Sequence, residues 1–121
     1  LKADLPLKLD IDANGTVDAA TDGQIVRRFM TRIHDSALTQ GVTGVAAQRT
    51  DPTAIEDRLI VMTPLLDIDL DGRADPNTDG LLLLRYLLGF RGNALVDGAL
   101  GQGAKRVAAI DVAAYLQSLM P

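Results

Sequence analysis

An all-α fold is predicted by three observations. Two acidic loops each lead directly into a helical pattern, apolar residues after each loop recur at steps of three and four, and the whole arrangement occurs twice. The first loop reads "DIDANGTVDAATDG" from Asp10 and the second "DIDLDGRADPNTDG" from Asp67, the latter with five aspartates between Asp67 and Asp79. Setting Asp10 on Asp67 carries Thr21-Asp22-Gly23 onto Thr78-Asp79-Gly80, Ala37-Leu38 onto Ala94-Leu95, Gly41 onto Gly98, Gly44 onto Gly101 and Arg49 onto Arg106. We read one domain over residues 1–121, with a first repeat at about 7–64 and a second at about 65–121, the second some two residues shorter after Arg106. The expected architecture is two loop-helix (F-hand) units carrying four main helices in a pseudo-two-fold arrangement.

The elements follow in order. Thr21 and Thr78 stand where N-caps belong, and Asp22 and Asp79 in the first turn suit the positive end of the helix dipole. Ile25, Val26, Phe29, Met30 and Ile33 form the apolar stripe of the first helix. Its counterpart carries Leu81, Leu82, Leu84, Leu87 and Leu88, dense enough to predict a helix buried nearly all round at the centre of the core, ending at Gly89 or Gly92. Ala37-Leu38 and Ala94-Leu95 suit single helical turns, followed by the glycine connections "TQGVTG" and "DGALGQG". Asp51 and Pro52 then open a helix with Ile55, Leu59, Ile60 and Met62 on its apolar side, stopped by Pro64. Ile110, Ala113, Ala114, Leu116, Leu119 and Met120 do the same in the second repeat, up to Pro121.

The loops themselves point to calcium. Carboxylates this crowded repel one another unless a cation sits between them. Calcium takes six to eight oxygen ligands, which a short loop supplies when alternate side chains turn inward around a glycine. In the second loop Asp67, Asp69 and Asp71 take the first, third and fifth places, Gly72 turns, Arg73 offers its carbonyl, Asp75 binds through water and Asp79 closes the shell. In the first loop the same roles fall to Asp10, Asp12, Asn14, the Thr16 carbonyl, Asp18 and Asp22, with Gly15 at the turn. Two calcium ions are expected. Magnesium fits less well, because it prefers strict octahedral geometry. Zinc is disfavoured by a chain with no cysteine and one histidine, His34.

Composition narrows the function. A formal charge of -4 argues against nucleic acid as the main partner. The most apolar run, "LLLLRYLL", is shorter than a membrane span and interrupted by Arg85. Hydrophobic content of 47% is ample for a core without disulfides. The chain opens on Leu1, which we read as a piece of a longer protein. His34 beside Asp35 at a helix end suits a dipole partner rather than a base, and loops that fully coordinate calcium leave no position open for a substrate, so no enzymatic activity is expected. Arg27, Arg28 and Arg85, with Arg49 and Arg106, read as solvated or ion-paired positions.

A closing Asp at the thirteenth place, where an EF-hand has Glu at the twelfth, and the lack of an entering helix before either loop make these half-motifs. With the "TDG" helix starts and "TDGLLLLRYLLGFRGNAL", the duplicated loop-helix pattern resembles the dockerin-like repeats of large secreted bacterial proteins, although this period is longer than the compact repeat of a cellulosomal dockerin. The resemblance implies an all-α module that binds two calcium ions and docks onto a cohesin-like domain. The family's Ser-Thr recognition pair would fall near Ala19-Ala20-Thr21 and Pro76-Asn77-Thr78. The function expected is therefore a noncatalytic, extracellular or cell-surface calcium-binding module that attaches to a cohesin-like or neighbouring protein domain. An intracellular calcium sensor or buffer is the alternative, disfavoured because Met30, Met62 and Met120 are scattered as gap-fillers rather than gathered in a groove.

Overall fold

Loop and helix alternate along the chain, and each helix is short. The computed structural model describes residues 8–121, so the expected start of the first repeat near residue 7 lies outside the described residues. The helices are α1 (Asp22–Met30), α2 (Ser36–Thr39), α3 (Pro52–Met62), α4 (Asp79–Leu87), α5 (Asn93–Val96) and α6 (Ala109–Ser118), with a 3-10 turn at Thr63–Leu66 after α3. The fold is all-α, with no strand among the described residues. Four helices have two turns or more; α2 and α5 are single turns. None of the helices among the described residues is long and apolar enough to cross a membrane.

Helices α4, α5 and α6 begin 57 residues after α1, α2 and α3 respectively. The expected shortening of the second half is therefore corrected: the offset holds through the last helix, where buried Ile55, Leu59 and Met62 are matched by buried Val112, Leu116 and Leu119. The start of α6 was hard to read because Ala108 stands where Asp51 caps α3. Only Asp51 accepts a side-chain capping bond, from the Thr53 N–H.

Three further expectations are revised. Thr21 and Thr78 precede α1 and α4 but do not cap them; each hydroxyl donates to the neighbouring carboxylate, Asp22 or Asp79, at 3.2 Å. The Asp18 and Asp75 carbonyls instead accept from the Gly23 and Gly80 N–H groups, each at 3.0 Å. Ile60 and Ile110 lie 55% and 79% exposed, because α3 and α6 bury only a narrow stripe at steps of four and three and these residues fall beside it. Helix α4 buries Leu82, Leu83 and Tyr86 but leaves Leu88 exposed, and it ends before Gly89, whose φ of 95° no branched residue adopts at ease.

The two halves meet where α1 crosses α4. A Cβ on Gly23 would touch Leu84 and Leu87 at 3.6 and 3.4 Å; one on Gly80 would touch Arg27 and Met30 at 3.1 and 3.3 Å. Each glycine thus faces the residues four and seven places beyond its counterpart on the other helix. Small residues at the crossing let the helices approach, and Ile25, Val26, Leu82 and Leu83 bury the core behind it.

Candidate metal centre

Both acidic loops are built on one pattern of main-chain hydrogen bonds. The Asp10 carboxylate accepts from the N–H groups of Asn14 and Gly15 at 3.2 and 2.8 Å, and that of Asp67 from Asp71 and Gly72 at 3.1 and 3.0 Å. These bonds fold each loop back on its first residue. The turn is completed by positive φ at Ala13 and Gly15, and at Leu70 and Gly72. Alternation then turns Ile11 and Ile68 into the core while Asp12 and Asp69 face the loop interior.

The closing aspartates come from the first residues of α1 and α4. Asp22 accepts from the Ile11 and Asp18 N–H groups at 2.6 and 3.0 Å; Asp79 does so from Ile68 and Asp75 at 2.5 and 2.8 Å. Carboxylate oxygens of Asp10, Asp12 and Asp22 lie within 4.8 Å of one another, as do those of Asp67, Asp69, Asp71 and Asp79. Asn14, next in the first loop, has its Oδ1 turned to the Thr16 N–H at 3.1 Å. Asp18 and Asp75 stand apart from the gathered oxygens, Asp18 accepting from the Thr16 hydroxyl at 2.9 Å and Asp75 from the Asn77 N–H at 3.1 Å. Thr16 and Arg73 are exposed residues of the turns.

Sequence reasoning missed the lid of each site. Asp12 and Asp69 are fully buried, and each receives the N–H of a distant glycine: Gly44 at 2.5 Å and Gly101 at 2.6 Å. A Cβ on Gly44 would overlap the Asn14 amide, and one on Gly101 the Asp71 carboxylate. The same connections send the N–H groups of Gln48 and Arg49 to the Asp12 carbonyl, and those of Lys105 and Arg106 to the Asp69 carbonyl. The Arg49 and Arg106 guanidinium groups reach the Ile11 and Ile68 carbonyls at 2.9 and 2.7 Å. The correspondence of Gly44 with Gly101 and Arg49 with Arg106 was the available signal. The arginines, read as solvated or ion-paired, act instead on main-chain carbonyls. Arg28 and Arg85 do likewise at the ends of α2 and α5.

One oxygen in each buried pair has no donor. Asp12 Oδ1, Asp69 Oδ1 and Asp71 Oδ2 are buried without a hydrogen-bond partner. A buried polar atom without a partner costs free energy, and a buried charge costs more. Burial pushes the carboxyls of Asp22 and Asp79 up to about 6, with the nearby charges of Asp12 and Asp69 acting in the same direction against the main-chain donors. Burial, with the charges of Asp71 and Asp67, also raises Asp69. An all-oxygen, electron-rich cage with unpartnered oxygens turned inward can hold a metal ion, and its donor set is that of a hard cation. Comparison of the chain with protein-family models, curated proteins and solved structures finds no match.

Proposed function

We propose that this chain is a noncatalytic, dockerin-like module built from two loop-helix units, each folded around one calcium ion, and that it mediates protein-protein attachment or tethers neighbouring domains in an extracellular bacterial protein. The observation that carries the reading is the pair of fully buried carboxylates, Asp12 and Asp69, each with one oxygen that no donor satisfies. Calcium supplies the missing partner and cancels the repulsion among its ligands. Asp10, Asp12, Asn14 and Asp22 would hold one ion and Asp67, Asp69, Asp71 and Asp79 the other. The Thr16 and Arg73 carbonyls complete each shell, and Asp18 and Asp75 act through water. The matching of the main-chain bonds to Asp10, Asp12 and Asp22 by those to Asp67, Asp69 and Asp79 supports two ions rather than one.

Calcium titration of chelator-stripped protein by calorimetry, with circular dichroism alongside, tests this. Two binding events accompanied by a gain of helix are expected, with Asp10→Ala removing one and Asp67→Ala the other. Helix already complete in chelator, with no heat up to millimolar calcium, would refute the reading.

A further inference from the structure

Beside the second acidic loop, a cavity of about 330 Å³ opens between that loop, the end of α1 and α3. Phe29, Met30 and Ile60 give it apolar surface, and Arg32 and the His34–Glu56 pair, 2.9 Å apart, give it polar groups. The 57-residue correspondence between the halves shows what is unusual about it. In the second half the positions of Phe29, His34 and Ile60 are held by Tyr86, Arg91 and Gln117. There the Tyr86 hydroxyl donates to Gln117 at 2.6 Å, and the Arg91 guanidinium lies over the Tyr86 ring at 3.9 Å. The chain thus knits together with its own side chains a place that the first half leaves open. Phe29 lacks the hydroxyl, Ile60 lacks the amide, and His34 is drawn aside to Glu56. Arg32 stands where the second half has Gly89; it holds a φ of 67°, and among the described residues nothing pairs with its guanidinium.

We propose that this cavity is a docking pocket for a partner polypeptide, receiving one bulky apolar side chain against Phe29, Met30 and Ile60 while an adjacent carboxylate of the partner meets Arg32. The size fits: at the low end of the roughly 300–1,000 Å³ typical of ligand sites, the pocket takes a single anchor rather than a large ligand. Charge selects the neighbour, because an unpaired guanidinium recognises a carboxylate best. Ala74, between Arg73 and Asp75, also lines the cavity, so the second acidic loop forms part of its wall.

Amide NMR titration of the folded chain, in calcium and again in chelator, tests the pocket with a capped five-residue peptide carrying one leucine followed by aspartate. Saturable shifts at Phe29, Met30, Arg32, Ile60 and Ala74 are expected, with dissociation constants around a millimolar for one anchor. Alanine in place of the leucine should weaken binding about tenfold. Lysine in place of the aspartate, or Arg32→Gly in the protein, should weaken it several-fold. The triple exchange Phe29→Tyr, His34→Arg, Ile60→Gln installs the closing groups of the second half and should abolish the shifts while leaving the remaining amides in place. No saturable shift up to about 5 mM peptide, or shifts unchanged by the alanine peptide or by the triple exchange, would overturn the proposal. Binding in calcium alongside a failed calcium titration would still uphold the pocket, so the two readings fail separately.

Discussion

Asp69 gives one carboxylate oxygen to the Gly101 N–H and has no donor for the other, although the side chain is fully buried. Asp69→Asn should therefore act in opposite directions on the two states of the protein. Without metal, loss of the buried charge is predicted to raise the melting temperature, by on the order of 4 °C. With calcium, the loss of an anionic ligand should weaken one binding event by more than tenfold. Thermal melts in chelator and calorimetry in calcium check the pair, and destabilisation in both would show that the carboxylate is held by contacts within the protein. A related prediction concerns pH. Asp22 and Asp79 have carboxyls raised to about 6 in the folded chain, against an ordinary value of 3.8. A raised folded value means the folded state binds the proton more tightly than the unfolded one, so this contribution is fully present below about pH 4 and is lost as pH rises through about 6. In chelator, stability should increase as pH falls from 7 to 5, and Asp22→Asn should flatten that slope. Calcium competes with the same protons, so its affinity should fall over the same interval. A metal-free protein whose stability instead drops on acidification from pH 7 to 5 would contradict the assignment.

The single-turn helices α2 and α5 are far too short to persist alone, since helix nucleation is unfavourable. Each is fastened by an arginine from the preceding long helix: Arg28 donates to the Ala37 and Gln40 carbonyls at 3.0 and 2.9 Å, and Arg85 to the Leu95 and Asp97 carbonyls at 3.2 and 2.6 Å. The loops that follow carry Gly44 and Gly101 onto the buried aspartates, so this fastening sets the lids. Arg85→Ala should cost about 1.5–3 kcal/mol, the range for hydrogen bonds to a charged group. Arg85→Lys should recover only part of that, because both carbonyls accept from one nitrogen of a planar guanidinium that fixes the direction of its N–H bonds, which a freely rotating ammonium does not. Urea unfolding in calcium measures both, and a loss below about 0.5 kcal/mol for Arg85→Ala would mean α5 is held by Leu95 packing alone. Here sequence reading reached its limit. The positions of Arg28 and Arg85 on the helices were plain, but their partners lie nine to twelve residues on, where neither periodicity nor motif reports contact. The same is true of Ile60, whose type suggested core while the width of the buried stripe decided otherwise.

At the scale of the molecule, the helical class, the places of the six helices and the gathered carboxylates, Asp10, Asp12 and Asp22 in one loop and Asp67, Asp69, Asp71 and Asp79 in the other, were legible, because each rests on local pattern: period, and alternation around a glycine. The course of the connecting segments was not, since it is fixed by contacts such as Gly44 with Asp12 and by the reciprocal seating of Gly23 and Gly80 at the crossing of α1 and α4. That crossing packs the halves against each other, and it sets the sign of the last prediction. If calcium is structural, removing it frees two sets of repelling carboxylates directly beneath α1 and α4, and the apolar surface those helices share should become accessible. A dye that reports exposed apolar surface should then brighten in chelator and darken on adding calcium. A sensor would do the reverse, exposing a groove when loaded. An ion at 100 times its dissociation constant adds about 2.7 kcal/mol per site, so two sites should separate the melting temperatures in calcium and chelator by well over 10 °C. The last stage of the melt on stepwise chelation should follow the second loop, whose gathered set has four carboxylates against three in the first. Asp71→Asn, which makes the two loops alike at that place, should bring the two transitions together. If they stay apart, the rigidity of each loop and not its charge sets affinity.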